Sequence, residues 1–304
     1  MEWKSRRIEA ILEQALTEDK ATSDVTTALT IEPSLRAAAT ILAKEECVLA
    51  GLGCVPRFLD IFARLDGKSS GRHEVVSHPE IFDGVRLRKG QAVAVIRHNA
   101  RVILACERVI LNLLQHLSGI ATLTRQYVEA VQSTHARILD TRKTVPGMRA
   151  LEKYAVQCGG GTNHRIDLAS GILIKNNHIA LGGGLSAVLT RALERRRLHQ
   201  RVQIEVRTAL ELEEAIAHGA EAILLDNMSP AEVRRCVDRI KSVIASQPAS
   251  EQGTRWIPTE ASGGIVLANV RAYAETGVDF ISVGALTHSA RAADISMAIA
   301  AEPA

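Results

Sequence analysis

Aromatic side chains are scarce in this sequence, with 4 Phe, 3 Tyr and 2 Trp among 304 residues. So few rings leave little to stack on exposed bases. The 37 basic and 34 acidic residues form no long run of either sign, so no basic track exists for a phosphate backbone. A nucleic-acid partner is not expected. No stretch reaches the roughly 18 uninterrupted apolar residues of a membrane helix, and the opening MEWKSRRIEA is too charged for a secretory signal. The expected setting is the cytoplasm, without a membrane partner. Cys47, Cys54, Cys106, Cys158 and Cys236 make an odd number with no C-x-x-C pair, which argues against a disulfide framework and against structural zinc. Neither G-x-x-x-x-G-K-[ST] nor G-x-G-x-x-G occurs, so nucleoside triphosphate and dinucleotide sites lack support.

What is present is a hydrophobic content of 46%, enough for a sizeable core in a chain of about two domains. Ile8, Ile11, Leu12, Ala15 and Leu16 predict an amphipathic N-terminal helix ending before Asp19. From Ala37 to about Arg97 short apolar runs punctuated by Gly and Asp, with turn signals at Asp66–Gly67 and Asp83–Gly84, predict a small β-rich region. Between Ala100 and Gln132, Cys106, Val109, Ile110, Leu113, Leu114 and Leu117 form one buried helical stripe. After Ala136 the rhythm changes to ARILDTRK, GILIKNNHI, VQIEVR, AILLDNM, PTEASGGI and DFISVGAL, most followed by helix-like stretches. Six such runs predict parallel strands in an incomplete α/β barrel. The polar stretch 245–254 is expected to be a surface loop, and LGGGL (Leu181 to Leu185) a flexible loop or lid.

Each run ends in polar or glycine residues, and in a barrel the carboxyl ends of the strands form the active face. Lys175 ends a buried strand, where an amine calls for a function or a salt-bridge partner. Glu205 and Asp226 end the next two strands and suit a divalent cation or ribose hydroxyls, although either alone could cap a helix. Arg142, Lys143, His164 and Arg165 add positive charge beside glycines. Ser262, Gly263 and Gly284 end the last two strands, where barrels commonly bind phosphate. With Arg108 included, cations outnumber acids at this face, which suits a ligand bearing several negative groups.

The segments ERVILNLLQHLSGIATLT, DTRKTVPGMRALEKYAV, GGGTNHR, LIKNNHI, IEV, LLDNM, EASGGI and GVDFISVGALTHS together resemble the quinolinate phosphoribosyltransferase family. The resemblance covers nearly the whole chain and is densest from Glu107 to Ser289. It implies an N-terminal α/β sandwich (1–116, completed by 290–304) and an open α/β barrel (117–289). It also implies a homodimer that converts quinolinate and phosphoribosyl pyrophosphate to nicotinate mononucleotide, pyrophosphate and CO2 in NAD biosynthesis. Arg108 matches an arginine that reaches the neighbouring subunit's site, and Arg142, His164, Arg165 and Lys175 match the quinolinate-binding set. Lys143 matches a lysine serving the substrates' anionic groups. Glu205 and Asp226 match the acidic pair near the ribose hydroxyls and Mg2+, the metal arriving mainly through the substrate, and Ser262, Gly263 and Gly284 match phosphate-binding positions. Lys143, Lys175, Glu205 and Asp226 are the implied catalytic groups.

The chain departs from the family pattern in three places: Asn176 stands where Asp is usual, Gln203 where Glu is usual, and Ser23 precedes Asp24 in place of Gly. Three alternatives remain open at this level: a Schiff-base aldolase using Lys175, a non-catalytic sugar-phosphate sensor on the same fold, and a molybdenum-transport relative. EKYAV and LIKNNH look more like the quinolinate enzyme than the transport protein.

Overall fold

The computed structural model describes residues 1–67, 73–246 and 256–302, and they form two compact units. The first comprises 1–125, 144–160 and 286–304, and the second 126–143 and 161–285. The expected division at 116/117, with completion by 290–304, cuts the chain more simply than it folds. Residues 144–160 return to the first unit after the second has begun.

In the first unit, helix α1 (Arg6–Glu18) buries Ile8, Leu12 and Leu16. A short helix α2 (Val25–Thr30) follows, capped by Asp24, whose side chain accepts from the Thr27 N–H. Strands β1 (Arg36–Ala43), β3 (Glu74–Val76), β5 (Ala92–Asn99) and the C-terminal β12 (Ile295–Ala301) make an antiparallel sheet in the order β12-β1-β5-β3. Alternate residues of β1 are buried, as expected of a sheet with one face against a core. The pair β2 (Cys47–Val48) and β4 (Arg86–Leu87) stands apart.

The region 37–97 is not purely β. Helix α3 (Cys54–Asp66) lies within it, burying Val55, Phe58, Leu59 and Phe62, which recur at helical spacing. Gly67, at φ +63°, closes that helix instead of turning a hairpin, because a residue without Cβ takes the left-handed conformation at little cost.

Helix α4 (Ala100–Val131) carries the predicted stripe, with Cys106, Ile110, Leu114 and Leu117 fully buried. Among the described residues it is the one helix long and apolar enough to cross a membrane, although Arg101, Glu107 and Arg108 interrupt its apolar run. Two-thirds of its most apolar window is buried within the fold, as in the core helix of a globular protein. Ser118 interrupts the stripe because its hydroxyl accepts the Ala50 N–H at 3.1 Å, and Gly119 because a Cβ there would lie 2.0 Å from the Arg291 carbonyl. Helix α5 (Arg149–Cys158) is tied to the same unit by Tyr154, whose hydroxyl donates to Asp83 Oδ2 at 2.5 Å.

The second unit holds the six expected strands: β6 (Arg137–Leu139), β7 (Ile172–Ile174), β8 (Val202–Val206), β9 (Ala222–Asp226), β10 (Thr259–Ser262) and β11 (Phe280–Ser282). They form one parallel sheet in the order β6-β11-β10-β9-β8-β7. Among the described residues β6 and β7 are not paired with each other, so the barrel is open between them. Val202, Ile204, Val206, Ile223, Leu225, Ala261 and Ile281 are fully buried, which explains the near-continuous apolar runs.

The expected loop LGGGL is instead a tight junction. Gly183 at φ +91° ends helix α6 (Asn176–Gly182), and Gly184 begins helix α7 (Leu185–Arg195). Helix α8 is Ala209–Ala217, and α9 (Pro230–Ser246) takes up the first two residues of the expected surface loop. The rest of that loop lies outside the described residues, apart from which helix α10 (Val270–Ala274) completes the unit's helices.

Candidate functional site

Three groups of side chains gather at the strand ends of the second unit. The first surrounds the end of β6. Thr162 lies beside this strand, its N–H bonding to the Ile138 carbonyl at 2.8 Å, and so brings residues 163–165 next to Asp140. Asp140 is fully buried, and its Oδ1 accepts the His164 N–H at 2.8 Å. The His164 ring takes the Arg165 N–H on Nδ1 at 2.7 Å and sets Nε2 3.3 Å from Glu260 Oε2. Arg165 Nη1 donates to the Gly171 carbonyl at 2.9 Å. Burial and the neighbouring Arg142 guanidinium hold Arg165 below the ordinary arginine range. Arg142 Nε is itself buried without a hydrogen-bond partner. Two cations close enough to disfavour each other, one with an orphaned donor, form a place for an anion. Lys143 is exposed two residues beyond Thr141, whose Oγ1 accepts its N–H at 3.0 Å.

The second group joins β7 and β8. Lys175 caps α6, and its amine lies 3.5 Å from Glu205 Oε2, while Asn176 Nδ2 donates to Glu205 Oε1 at 2.6 Å. Both oxygens of this largely buried carboxylate are thus partnered. Asn176, a departure from the family pattern, does here with an amide what a carboxylate could do only through an added cation. The Lys175 side chain is 52% exposed and paired, the opposite of the dry pocket that activates a Schiff-base lysine, so the aldolase reading loses its support.

The third group joins β9 and β10. Asp226 and Ser262 are register partners, and Asn227 links them, donating through Nδ2 to Asp226 Oδ2 and through its N–H to the Ser262 carbonyl, both at 2.8 Å. Gly263 has φ +94°, and a Cβ on it would sit 2.3 Å from Asn227 Oδ1, so no other residue fits the turn without displacement. Gly284 directly precedes the single-turn helix α11 (Ala285–His288). Arg108 belongs to the first unit, on α4, with a side chain 60% exposed and its guanidinium 3.5 Å from Glu107.

Sequence reasoning missed Glu260 as a site residue. An acid two residues before Ser262 in a short strand was the available signal, because the two share a face. A cavity of about 350 Å³ is bounded in part by His164, Arg165, Gln203 and Glu260. Among the described residues no group of three His, Cys, Asp or Glu side chains could hold a metal ion.

An open parallel barrel with neighbouring cations and a pair of carboxylates at its strand ends places this protein in the class of α/β-barrel enzymes suited to an anionic substrate. The models for the quinolinate phosphoribosyl transferase N-terminal and C-terminal domains match residues 24–118 and 120–298. The chain belongs to the quinolinate phosphoribosyltransferase family. It is 39% identical over 291 residues to the probable nicotinate-nucleotide pyrophosphorylase (carboxylating) of Bacillus subtilis, covering 96% of this chain and 93% of that protein. It is also 39% identical over 274 residues to the enzyme of that name from Mycobacterium leprae, covering 90% of each. The solved nicotinate-nucleotide pyrophosphorylase of Francisella tularensis superposes with a TM-score of 0.83 at 34% identity, covering 97% of this chain and 96% of that one.

Proposed function

We propose that this protein transfers the phosphoribosyl group of phosphoribosyl pyrophosphate to the ring nitrogen of quinolinate, with loss of CO2, giving nicotinate mononucleotide and pyrophosphate for NAD biosynthesis. The observation that carries this reading is the half-buried Arg142–Arg165 pair, two neighbouring cations of which one has a buried donor without a partner, suited to a ligand with more than one negative group. Quinolinate is a dianion. Arg142, His164, Arg165 and Lys175 receive its carboxylates, and Lys143 serves the anionic groups of both substrates. Ser262, Gly263 and Gly284 hold phosphate, and Glu205 and Asp226 face the ribose.

As the bond from ribose C1 to pyrophosphate breaks, positive charge grows on the sugar, and the two carboxylates stabilise it while the pyridine nitrogen forms the new bond. The pyridinium then accepts the electron pair released when the C2 carboxylate leaves, and C2 takes a proton. Burying the dianion among fixed cations does most of the protein's work here, with no covalent intermediate required.

With both Glu205 oxygens engaged by Lys175 and Asn176, a magnesium ion would arrive mainly on phosphoribosyl pyrophosphate, near Glu205 and Asp226. Magnesium would neutralise charge on the leaving pyrophosphate. Incubation with quinolinate, phosphoribosyl pyrophosphate and Mg2+ is expected to yield nicotinate mononucleotide and CO2 in equal amounts, and nicotinate is expected not to react. Comparable turnover of nicotinate overturns the substrate assignment.

The working unit is a homodimer in which Arg108 enters the neighbouring subunit's site. Its exposed guanidinium, on the face of α4 away from the buried stripe, supports this. Arg108→Ala and Lys143→Ala homodimers should each be nearly inactive, and mixing them should restore part of the activity, because one heterodimer site collects both changes and the other neither. No recovery despite proven subunit exchange places Arg108 outside the shared site.

A further inference from the structure

Glu260 is 3% exposed in the middle of β10, and a lone carboxylate at that depth is costly unless it is held. Its Oε2 accepts from Gln203 Nε2 at 2.8 Å and faces His164 Nε2 at 3.3 Å, while Oε1 is buried with no hydrogen-bond partner. Burial would push this acid up, but His164, through its hydrogen bond and charge, the Gln203 amide and the nearby Ser282 hydroxyl together hold it below the usual carboxylate range. Gln203 stands where the family usually carries Glu. A carboxylate there would meet Glu260 within hydrogen-bond distance, and one of the two acids would have to take up a proton. The amide donates instead and leaves the negative charge for His164.

The ring of His164 is fully committed. Nδ1 accepts the Arg165 N–H, so Nε2 carries the hydrogen that points at Glu260. The carboxylate therefore sets both the tautomer and the ring plane. Because the Arg165 N–H is fastened to that ring, the ring in turn sets where Arg165 leaves the loop before its guanidinium closes on Gly171.

We propose that Glu260, backed by Gln203, is a positioning residue for anion recognition: it fixes the His164 ring, and through it Arg165, without touching the substrate. This rests on the reading that His164 and Arg165 receive quinolinate, and it adds a carboxylate that acts from beneath them.

Steady-state kinetics of the full chain, varying quinolinate and phosphoribosyl pyrophosphate separately, test it. Glu260→Gln should raise the quinolinate KM about tenfold or more, the loss expected for a charge-assisted hydrogen bond, and leave kcat and the phosphoribosyl pyrophosphate KM within about threefold. His164→Ala should raise the quinolinate KM by itself, and adding Glu260→Gln should then change it less than about twofold, because the acid acts through the ring. An unchanged quinolinate KM in folded Glu260→Gln, or an undiminished further rise in the His164→Ala background, overturns the proposal. If Glu260→Gln does not fold, Gln203→Met decides. That variant keeps the volume and removes the amide that donates to Glu260, so it should raise the same KM, and an unchanged value overturns the proposal. Quinolinate binding untouched by both His164→Ala and Arg165→Ala would instead overturn the underlying site assignment.

Discussion

The two sheets of this protein are filled by opposite chemistry. Strand β1 of the antiparallel sheet turns Ala37, Ala39, Ile41 and Ala43 to its buried face, and α3 and α4 supply Phe58, Leu59, Ile110 and Leu114 to the same unit's core. Strands β8 and β10 of the parallel sheet bury Gln203, Glu205, Glu260 and Ser262 wholly or in part. The core of the first unit stabilises mainly by removing apolar area from water, although it also buries His98, Ser118, Glu152 and Lys153. The polar one holds together only because nearly every donor and acceptor is matched, Glu205 by Lys175 and Asn176 and Glu260 by Gln203 and His164. The difference teaches where function can sit. Among the described residues, the buried side-chain atoms left unmatched in the second unit, Arg142 Nε and Glu260 Oε1, belong to the anion-binding set or its support, whereas those of the first unit, Arg57 Nε and His98 Nδ1, do not.

Breaking the polar interior should cost activity first. Changing Glu205 or Asp226 to Ala is expected to lower kcat about a hundredfold or more. Quinolinate affinity, measured by calorimetry, should stay within about threefold, and its loss in a folded variant would contradict the division between sugar-facing acids and carboxylate-binding cations.

Breaking the apolar interior should cost stability. Leu114→Ala, at a fully buried position in α4, is expected to lower the unfolding free energy by about 2–5 kcal/mol in denaturant titration. Its kcat should stay near that of the unchanged protein wherever the variant is folded.

Acid should separate the two interiors further. The folded-state pKa of Glu260 is depressed, so its contribution is fully present above the unfolded value of about 4.3 and is lost as pH falls through the folded value. Glu260→Gln should therefore flatten the fall in stability below about pH 4.5, followed by thermal melts, and an unaltered acid limb would show that this carboxylate is not held as described.

The smallest effect is expected at Ser118. Its hydroxyl is one of several buried, matched polar groups of the first unit, and Ser118→Ala should cost about 1 kcal/mol, with the Ala50 N–H left unpaired. A cost near zero would mean that the N–H finds another acceptor.

Local signals carried far in the second unit. The runs ILIK, IEV and LLD are apolar because both faces of a parallel strand are covered, and their polar endings mark the strand ends, so Lys175, Glu205 and Asp226 could be read from the chain. In the first unit the same reasoning missed α3, because a thirteen-residue helix amid short strands shows its period only over Val55, Phe58, Leu59 and Phe62. It took LGGGL for a loop because consecutive glycines look alike whether they loosen a chain or sharply join two helices.

By itself the sequence determined the elements and the chemistry available at their ends, since hydrophobic period and strand-end residues are properties of neighbours along the chain. Tertiary structure alone decided that His164, Gln203 and Glu260 share one carboxylate oxygen, and that residues 144–160 pack with the first unit. Those three residues lie on separate segments, and only the strand order that places β10 near both β8 and the end of β6 brings them within hydrogen-bond reach, where burial makes each indispensable to the others.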